Sequence, residues 1–324
     1  MSIGITIVNY RTADLTIECL RSLAKECKFE SFQVIVVDND SQDGSVEKIT
    51  SAVISEGWSD WVLLVASEHN GGFAFGNNIA IRHFMNQKTV PEFIYLLNPD
   101  TYVRDNAITK LVEFMRQNPK VGIAGSRIED PDGDPQHSSF KFHTLLTELN
   151  RGFNLGILTK ILSRWVNSQK ISVQPERTDW VSGASMMIRY SVFEQIGLLD
   201  EAYFMYFEET DFCLQAARVG WECWYVPESR MVHYVGQSSG LTNEARTKRM
   251  PTYWFDSRRR YFHKNYGIAY AILADLFWLV GFSTWRLRNV IQRKQHNFPP
   301  HLLWDSFINS VFFRGFKLLP IRNK

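Results

Sequence analysis

Short apolar runs alternate with helix-spaced segments through the first hundred residues. The β-branched run 3–8 predicts a strand, and 15–23 carries Leu15, Cys19, Leu20 and Leu23 at helical spacing. Residues 32–37 predict a second strand, 46–54 a helix, 61–65 a third strand, 76–85 a helix and 93–97 a fourth strand. Strands alternating with helices predict an α/β fold with a parallel, doubly wound sheet. In such sheets ligands sit beyond the carboxyl ends of the strands, near a switch in strand order. Polar residues gather at those ends, as Asn9-Tyr10, Asp38-Asn39 and Asn98-Pro99-Asp100.

Beyond them the pattern predicts a helix over 107–116 and a strand over 121–126. Residues 129–178 open on the turn Asp130-Pro131-Asp132-Gly133-Asp134-Pro135 and then mix apolar and basic positions, as an insertion beside the site would. Residues 180–188 predict a strand interrupted by Gly183-Ala184, small enough for a ligand to approach the backbone. Residues 211–219 predict a helix stopped by Gly220. The chain shows no internal repeat and no low-complexity tract.

With 324 residues, 45% of them hydrophobic, the chain can bury a large core. The expected division is a catalytic domain over 1–250, with halves 1–100 and 101–250, and a helical region over 251–324. Residues 252–324 carry twelve Lys and Arg against three Asp and Glu, while the whole chain is only +2. A basic, aromatic-rich tail on an acidic body predicts contact with anionic lipid ahead of nucleic acid. The apolar stretch 268–285 is marginal in length for a span and contains Asp275, so an interfacial helix fits better than a crossing one. Packing of the tail on the body is the competing expectation. Cys19, Cys27, Cys213 and Cys223 lack the spacing of a metal site and suit buried thiols. The first residues resemble a strand and lack a basic leader, which predicts a cytoplasmic body, at the inner face of the membrane if the tail binds lipid.

Two acidic clusters carry the candidate chemistry. In Leu96-Leu97-Asn98-Pro99-Asp100 a buried run breaks at a proline and delivers a carboxylate, an arrangement that suits Mg2+ or Mn2+ bridging a diphosphate. The second is Phe207-Glu208-Glu209-Thr210-Asp211, after the aromatics Tyr203, Phe204 and Tyr206. Acids beside aromatics lose solvation, which raises a carboxyl pKa and suits a general base. A solvated, acid-rich helix start is the plainer alternative. Asp38 at a strand end can meet a base or ribose, or shape the turn before the next helix. Asn70-Gly71-Gly72-Phe73-Ala74-Phe75-Gly76-Asn77-Asn78 has neither Walker nor dinucleotide spacing, yet Gly72 and Asn77 could line a sugar nucleotide. His233 follows a strand-like segment and suits a metal or phosphate contact.

Taken in order, these stretches resemble the family 2 glycosyltransferases of the GT-A fold, rhamnosyltransferase-like members above all. The match runs through Asn9-Tyr10, Val37-Asp38-Asn39-Asp40, Asn98-Pro99-Asp100 and Glu208-Glu209 to His233, about residues 1–240. The resemblance implies that Tyr10 and Asp38 contact the nucleotide base, with Gly72, Asn77 and Asn98 around the donor. It implies that Asp100 replaces the last Asp of the family's metal motif and that His233 touches metal or phosphate. Glu209 falls where the family commonly has an Asp base, with Asp211 holding the geometry or orienting the acceptor. Trp180, Gly183 and Glu208 are assigned to the acceptor.

The implied activity is inverting, metal-dependent transfer of a sugar, with dTDP-rhamnose as the expected donor and a glycan or lipid-linked saccharide as acceptor, in cell-surface polysaccharide synthesis. The absence of a Gln-x-x-Arg-Trp sequence after the acidic cluster argues against a processive synthase. A sugar-1-phosphate nucleotidyltransferase would need a glycine-rich loop where Asn9-Tyr10-Arg11-Thr12 stands. A non-catalytic sugar-nucleotide-binding protein is the other alternative.

Overall fold

The computed structural model describes residues 3–26, 31–163, 171–234, 249–293 and 298–315. Its first part alternates strand and helix: β1 (Ile3–Asn9), α1 (Ala13–Glu26), β2 (Phe32–Asp38), α2 (Ser45–Ser55), β3 (Val62–Ala66), α3 (Gly72–Met85) and β4 (Phe93–Leu97). Next come β5 (Thr101–Val103), α4 (Ala107–Gln117), β6 (Val121–Glu129), β7 (Pro135–Gln136), β8 (Ser139–Phe140), α5 (Leu145–Phe153) and α6 (Gly156–Ile161). The sheet is finished by β9 (Glu176–Thr178), β10 (Trp180–Val181), β11 (Ser185–Arg189), α7 (Tyr190–Ile196), α8 (Glu208–Arg218) and β12 (Glu222–His233). Helices α9 (Thr252–Tyr266), α10 (Ile268–Ile291), α11 (Leu302–Ile308) and α12 (Val311–Arg314) follow.

The main sheet runs β3-β2-β1-β4-β11-β6-β12-β5. β1 lies parallel between β2 and β4, with Asn9 beside Asp38 and Ile7 beside Leu97. Strand order reverses there, and a crevice opens beyond the carboxyl ends. β11 is antiparallel to both β4 and β6, so the sheet is mixed although its long strands share one direction.

Burial on both faces explains why these strands read as continuous apolar runs. Val34 and Val36 point to one face, against Leu20 and Leu23 of α1 and Ile49 of α2. Ile35 and Val37 point to the other, against Ile81 and Phe84 of α3. Small residues let α3 approach β1 closely: a Cβ on Gly4 would meet the Phe84 ring at 2.9 Å, and one on Gly76 would meet Val8 at 2.7 Å.

Several boundaries differ from the sequence expectation. The glycine-rich stretch is no loop, because α3 starts at Gly72, and its first amide after that, on Phe73, donates to the Phe204 carbonyl at 2.9 Å. The acidic cluster opens α8, three residues earlier than expected. Residues 180–188 split into β10 and β11, since the Ser185 amide turns back to the Ser182 carbonyl. The insertion supplies α5, which packs along α10 of the tail.

Within the tail, Arg258 of α9 bonds Glu148 of α5 and Asp275 of α10, and all three are buried. Asp275 also accepts the Val311 amide at 2.8 Å. Asp275 therefore faces the protein and not the solvent. Gly152 and Gly281 let α5 and α10 touch; a Cβ on Gly281 would lie 2.8 Å from the Phe153 nitrogen. Helix α10 is 24 residues long and apolar enough to cross a membrane by length and composition, with 39% of its most apolar stretch buried in the protein.

Candidate active site

A cavity of about 640 Å³ occupies the crevice at the carboxyl ends of β1, β2 and β4. Of the residues singled out in the sequence, Tyr10, Gly72, Asn98, Gly183, Glu208, Glu209 and His233 line it. Asp38, Asn77, Asp100, Trp180 and Asp211 stand outside its wall, each with a definable role.

Asp38 ends β2 and is buried. Its Oδ2 accepts from Asn9 Nδ2 at 2.6 Å and Ser41 Oγ at 2.7 Å, and its Oδ1 accepts from the Ser41 amide at 3.0 Å. These bonds shape the turn that follows and hold Asn39 against the cavity. Asn39 Nδ2 donates to Asn70 Oδ1 and to the Gly72 carbonyl, and its buried Oδ1 meets no protein donor. An acceptor aimed into a cavity suits an imide N–H or a ribose hydroxyl. Arg11, at φ +57°, brings a cation to the same end. The sequence pattern placed Asn39 among the polar strand ends without giving it a role, and did not mark Arg11, which resembles any surface base.

Asn98 and Asp100 flank Pro99, which ends β4. The Asn98 amide donates to the Ala184 carbonyl at 3.1 Å, fixing the turn to β11. His233, the last residue of β12, places Nε2 3.2 Å from Asp100 Oδ1 and 3.4 Å from Asn98 Nδ2. Strand pairing sets this meeting, because His233 lies opposite Thr101 across β12 and β5. The remainder of the His233 motif, from Val235 to Ser239, lies outside the described residues. The candidate ligands are one buried carboxylate and one imidazole, with the Asn98 amide beside them, its nitrogen turned to His233. Among the described residues no group of three or more His, Cys, Asp or Glu gathers. That set fits a cation that completes its shell with phosphate and water, as Mg2+ commonly does.

Glu208 and Glu209 form the first turn of α8. Burial raises the Glu208 carboxyl well above its ordinary range, and the neighbouring Glu209 charge adds to this. Burial also raises Glu209, to about 6, against the opposing hydrogen bond from the Gly183 amide. Oε2 of each is buried and without a protein partner. A solvated helix start would leave neither carboxyl perturbed. Gly183 is close because it has no side chain: a Cβ there would sit 3.1 Å from the Phe73 ring and 3.9 Å from Glu209 Cβ.

The segment before these acids is held under strain. Tyr206 and Phe207 adopt φ +72° and +70°, where bulky side chains are rarely found. Gly72 is required beside it: with φ +88°, a Cβ would overlap the Phe204 carbonyl. Asp211 turns away from the cavity and accepts from Lys264 Nζ and Asn265 Nδ2, each at 2.6 Å. Trp180 stacks on Phe140 at 4.3 Å and donates Nε1 to the Lys141 carbonyl, bracing β10 against β8. Asn77 is buried in α3, bonded to Thr6 and to the Phe73 carbonyl.

The chain is similar to several glycosyltransferases. The chain is 26% identical over 218 residues to an N-acetylglucosaminyl-diphospho-decaprenol L-rhamnosyltransferase of Mycobacterium tuberculosis, covering 64% of this chain and 68% of the other. It is 25% identical over 224 residues to the dTDP-rhamnosyl transferase RfbF of Shigella flexneri, covering 68% and 66%. Among solved structures, a mannosyltransferase from Pyrobaculum calidifontis, in complex with GDP-Man and Mn2+, superposes with a TM-score of 0.56 at 16% identity over 90% of this chain and 74% of the other. That likeness assigns the mixed sheet and its flanking helices to the GT-A fold. The sequence signature of Glycosyl transferase family 2 matches residues 2–197, and the chain belongs to that family, as a glycosyltransferase similar to rhamnosyltransferases.

Proposed function

We propose that the protein transfers a sugar, L-rhamnose from dTDP-rhamnose, with inversion onto a hydroxyl of a lipid-linked saccharide at the cytoplasmic face of a membrane, in cell-surface polysaccharide synthesis. The observation that carries this reading is that Glu209, Asn98 and His233 line one cavity, with Asp100 directly behind His233. On this reading a proton acceptor and a diphosphate site share one crevice. The names of the relatives from M. tuberculosis and S. flexneri support the donor and the acceptor class.

Asn39 Oδ1 and Tyr10 hold the nucleotide, and Arg11 faces its phosphates. Asp100 and His233, beside the Asn98 amide, would hold Mg2+ or Mn2+, which when bound supplies positive charge against the diphosphate. Glu209 takes the proton of the acceptor hydroxyl as its oxygen bonds to the anomeric carbon. The bond from that carbon to the diphosphate breaks, and the nucleoside diphosphate leaves with the electron pair. A positioned base contributes about 10²–10⁴ in rate, roughly 3–5 kcal/mol. Burial favours the neutral form of Glu208, which in that form can donate to the acceptor without competing for the proton.

The membrane contact rests on the tail. Leu273, Leu276, Val280, Leu287 and Ile291 form one exposed stripe of α10, opposite the packed Trp278, Phe282 and Trp285. Trp304, Phe312 and Phe313 add exposed aromatic area. Surrounding α10 with lipid would break the Arg258–Asp275 pair, so the helix lies along the interface. The test is nucleotide-sugar binding with and without Mg2+ or Mn2+, followed by transfer. Stabilisation by dTDP-rhamnose above other donors supports the reading, and failure to bind any nucleotide diphosphate sugar overturns it.

A further inference from the structure

The cavity end around Glu208 and Glu209 is walled by aromatics from two distant parts of the chain. Phe204 and Tyr206 come from the strained segment before α8, and Tyr253 from the first turn of α9. The Tyr253 ring lies 5.3 Å from Phe204 and 6.1 Å from Tyr206, nearly parallel to the latter at 21°. Ser257, one turn further along α9, donates to the Met205 carbonyl at 3.0 Å and locks the two pieces together. Tyr206 Oη is buried, borders the cavity and has no protein partner. A buried hydroxyl without a partner needs one, and a ligand hydroxyl in the cavity can supply it. Nothing in the packing of the sheet requires two bulky residues at positive φ, a strain that functional sites retain.

We propose that Tyr206 and Tyr253 form an acceptor-sugar subsite, shared between the catalytic segment and the C-terminal helix. The apolar C–H face of the acceptor ring packs on Tyr253, and Tyr206 Oη hydrogen-bonds a ring hydroxyl. The reacting hydroxyl is thereby presented to Glu209. The assignment rests on the transferase reading above. In an inverting displacement the base stands on the acceptor side of the anomeric carbon, while Tyr10, Arg11 and Asn39 at the strand ends face the nucleotide. Aromatics flanking the base therefore meet the acceptor.

The experiment uses the full chain with dTDP-rhamnose and, as acceptor probe, a short-chain N-acetylglucosaminyl diphospholipid. Tyr253→Ala raises the probe KM at least tenfold, Tyr253→Phe restores it, and Tyr206→Phe raises it three- to tenfold. The donor dissociation constant stays within twofold in all three. An unchanged probe KM in both Tyr253→Ala and Tyr206→Phe, or a parallel rise in the donor constant, overturns the subsite. Wild-type protein that binds the donor but neither binds nor glycosylates the probe overturns it as well. Wild-type protein that binds no nucleotide sugar sinks the transferase reading instead. Melting temperatures of the variants separate lost packing from lost recognition, with Tyr206→Phe as the variant that removes only one oxygen.

Discussion

Lys264 Nζ stands 2.6 Å from Asp211 Oδ2 and 2.8 Å from Asp200 Oδ2. One ammonium on α9 thus ties together the two ends of the segment that carries Glu208 and Glu209. Arg260 adds a forked pair to Asp200. Burial opposes ionisation of Asp200, yet Lys264 and Arg260 hold its carboxyl below the ordinary range. Helix α9 thus braces the segment that carries Glu208 and Glu209, so residues on either side of the expected boundary at 250 bond one another.

Lys264→Met leaves Asp200 to Arg260 and Asp211 to Asn265, with the two carboxylates no longer bridged, at a cost of about 1–3 kcal/mol. A denaturant titration reads the loss directly. Because the Asp200 pKa is depressed on folding, its contribution is present above the ordinary carboxylate pKa and vanishes as pH falls below it. The gap between wild type and variant should therefore narrow under acid conditions. A gap independent of pH speaks against the clamp.

Glu209→Gln should reduce turnover by about 10²–10⁴ with donor binding nearly intact. With its carboxyl raised to about 6, the wild-type base is ionised above that pH and protonated below it. The rate should fall tenfold per pH unit on the acid side of 6 and level off above. Wild-type turnover in Glu209→Gln, with Asp211→Asn inactive, would move the base role to Asp211.

Asp100→Asn and His233→Ala should each weaken binding of dTDP in the presence of Mn2+ by ten- to a hundredfold. Binding measured in excess chelator should not distinguish them from wild type. Equal affinity of wild type with and without metal would remove the cation from the reading.

Gly72→Ala forces a Cβ onto the Phe204 carbonyl and a φ of +88° on an L-residue. Displacement of the 204–207 segment should cost at least 1–3 kcal/mol and most of the activity. A crystal structure of the variant with Tyr206 and Phe207 unmoved would contradict this.

Replacing Leu287, Ile291 and Phe313 together by Ser should release the protein from anionic vesicles without lowering its melting temperature, since all three are exposed. Asp275→Ala should do the reverse, destabilising the fold by about 1–3 kcal/mol, because Arg258 keeps Glu148 but loses its second carboxylate and the Val311 amide loses its acceptor. Co-sedimentation and thermal melts separate the two effects. Retained vesicle binding in the triple variant would assign the tail to packing alone.

The alternation of apolar strands and helices, the crevice at the strand ends and the two acidic clusters were legible in the chain itself, because periodicity and strand breaks are local properties. Asp38, Asn77, Trp180 and Asp211 were visible by residue type, but their partners Ser41, Thr6, Lys141 and Lys264 decide what they do. Asn39 stood out only as a polar residue at a strand end, and Arg11 and Tyr253 carried no local mark, since a surface cation and a helical tyrosine acquire meaning only from what stands opposite. Asp275 shows the same limit: polar in an apolar stretch by sequence, it faces inward because Arg258 waits there, seventeen residues earlier. Local pattern determines which elements form and where a ligand can enter. Long-range pairing, which brings chain-distant groups within a few ångströms, determines which carboxylates stay buried, and hence which one is left to take a proton.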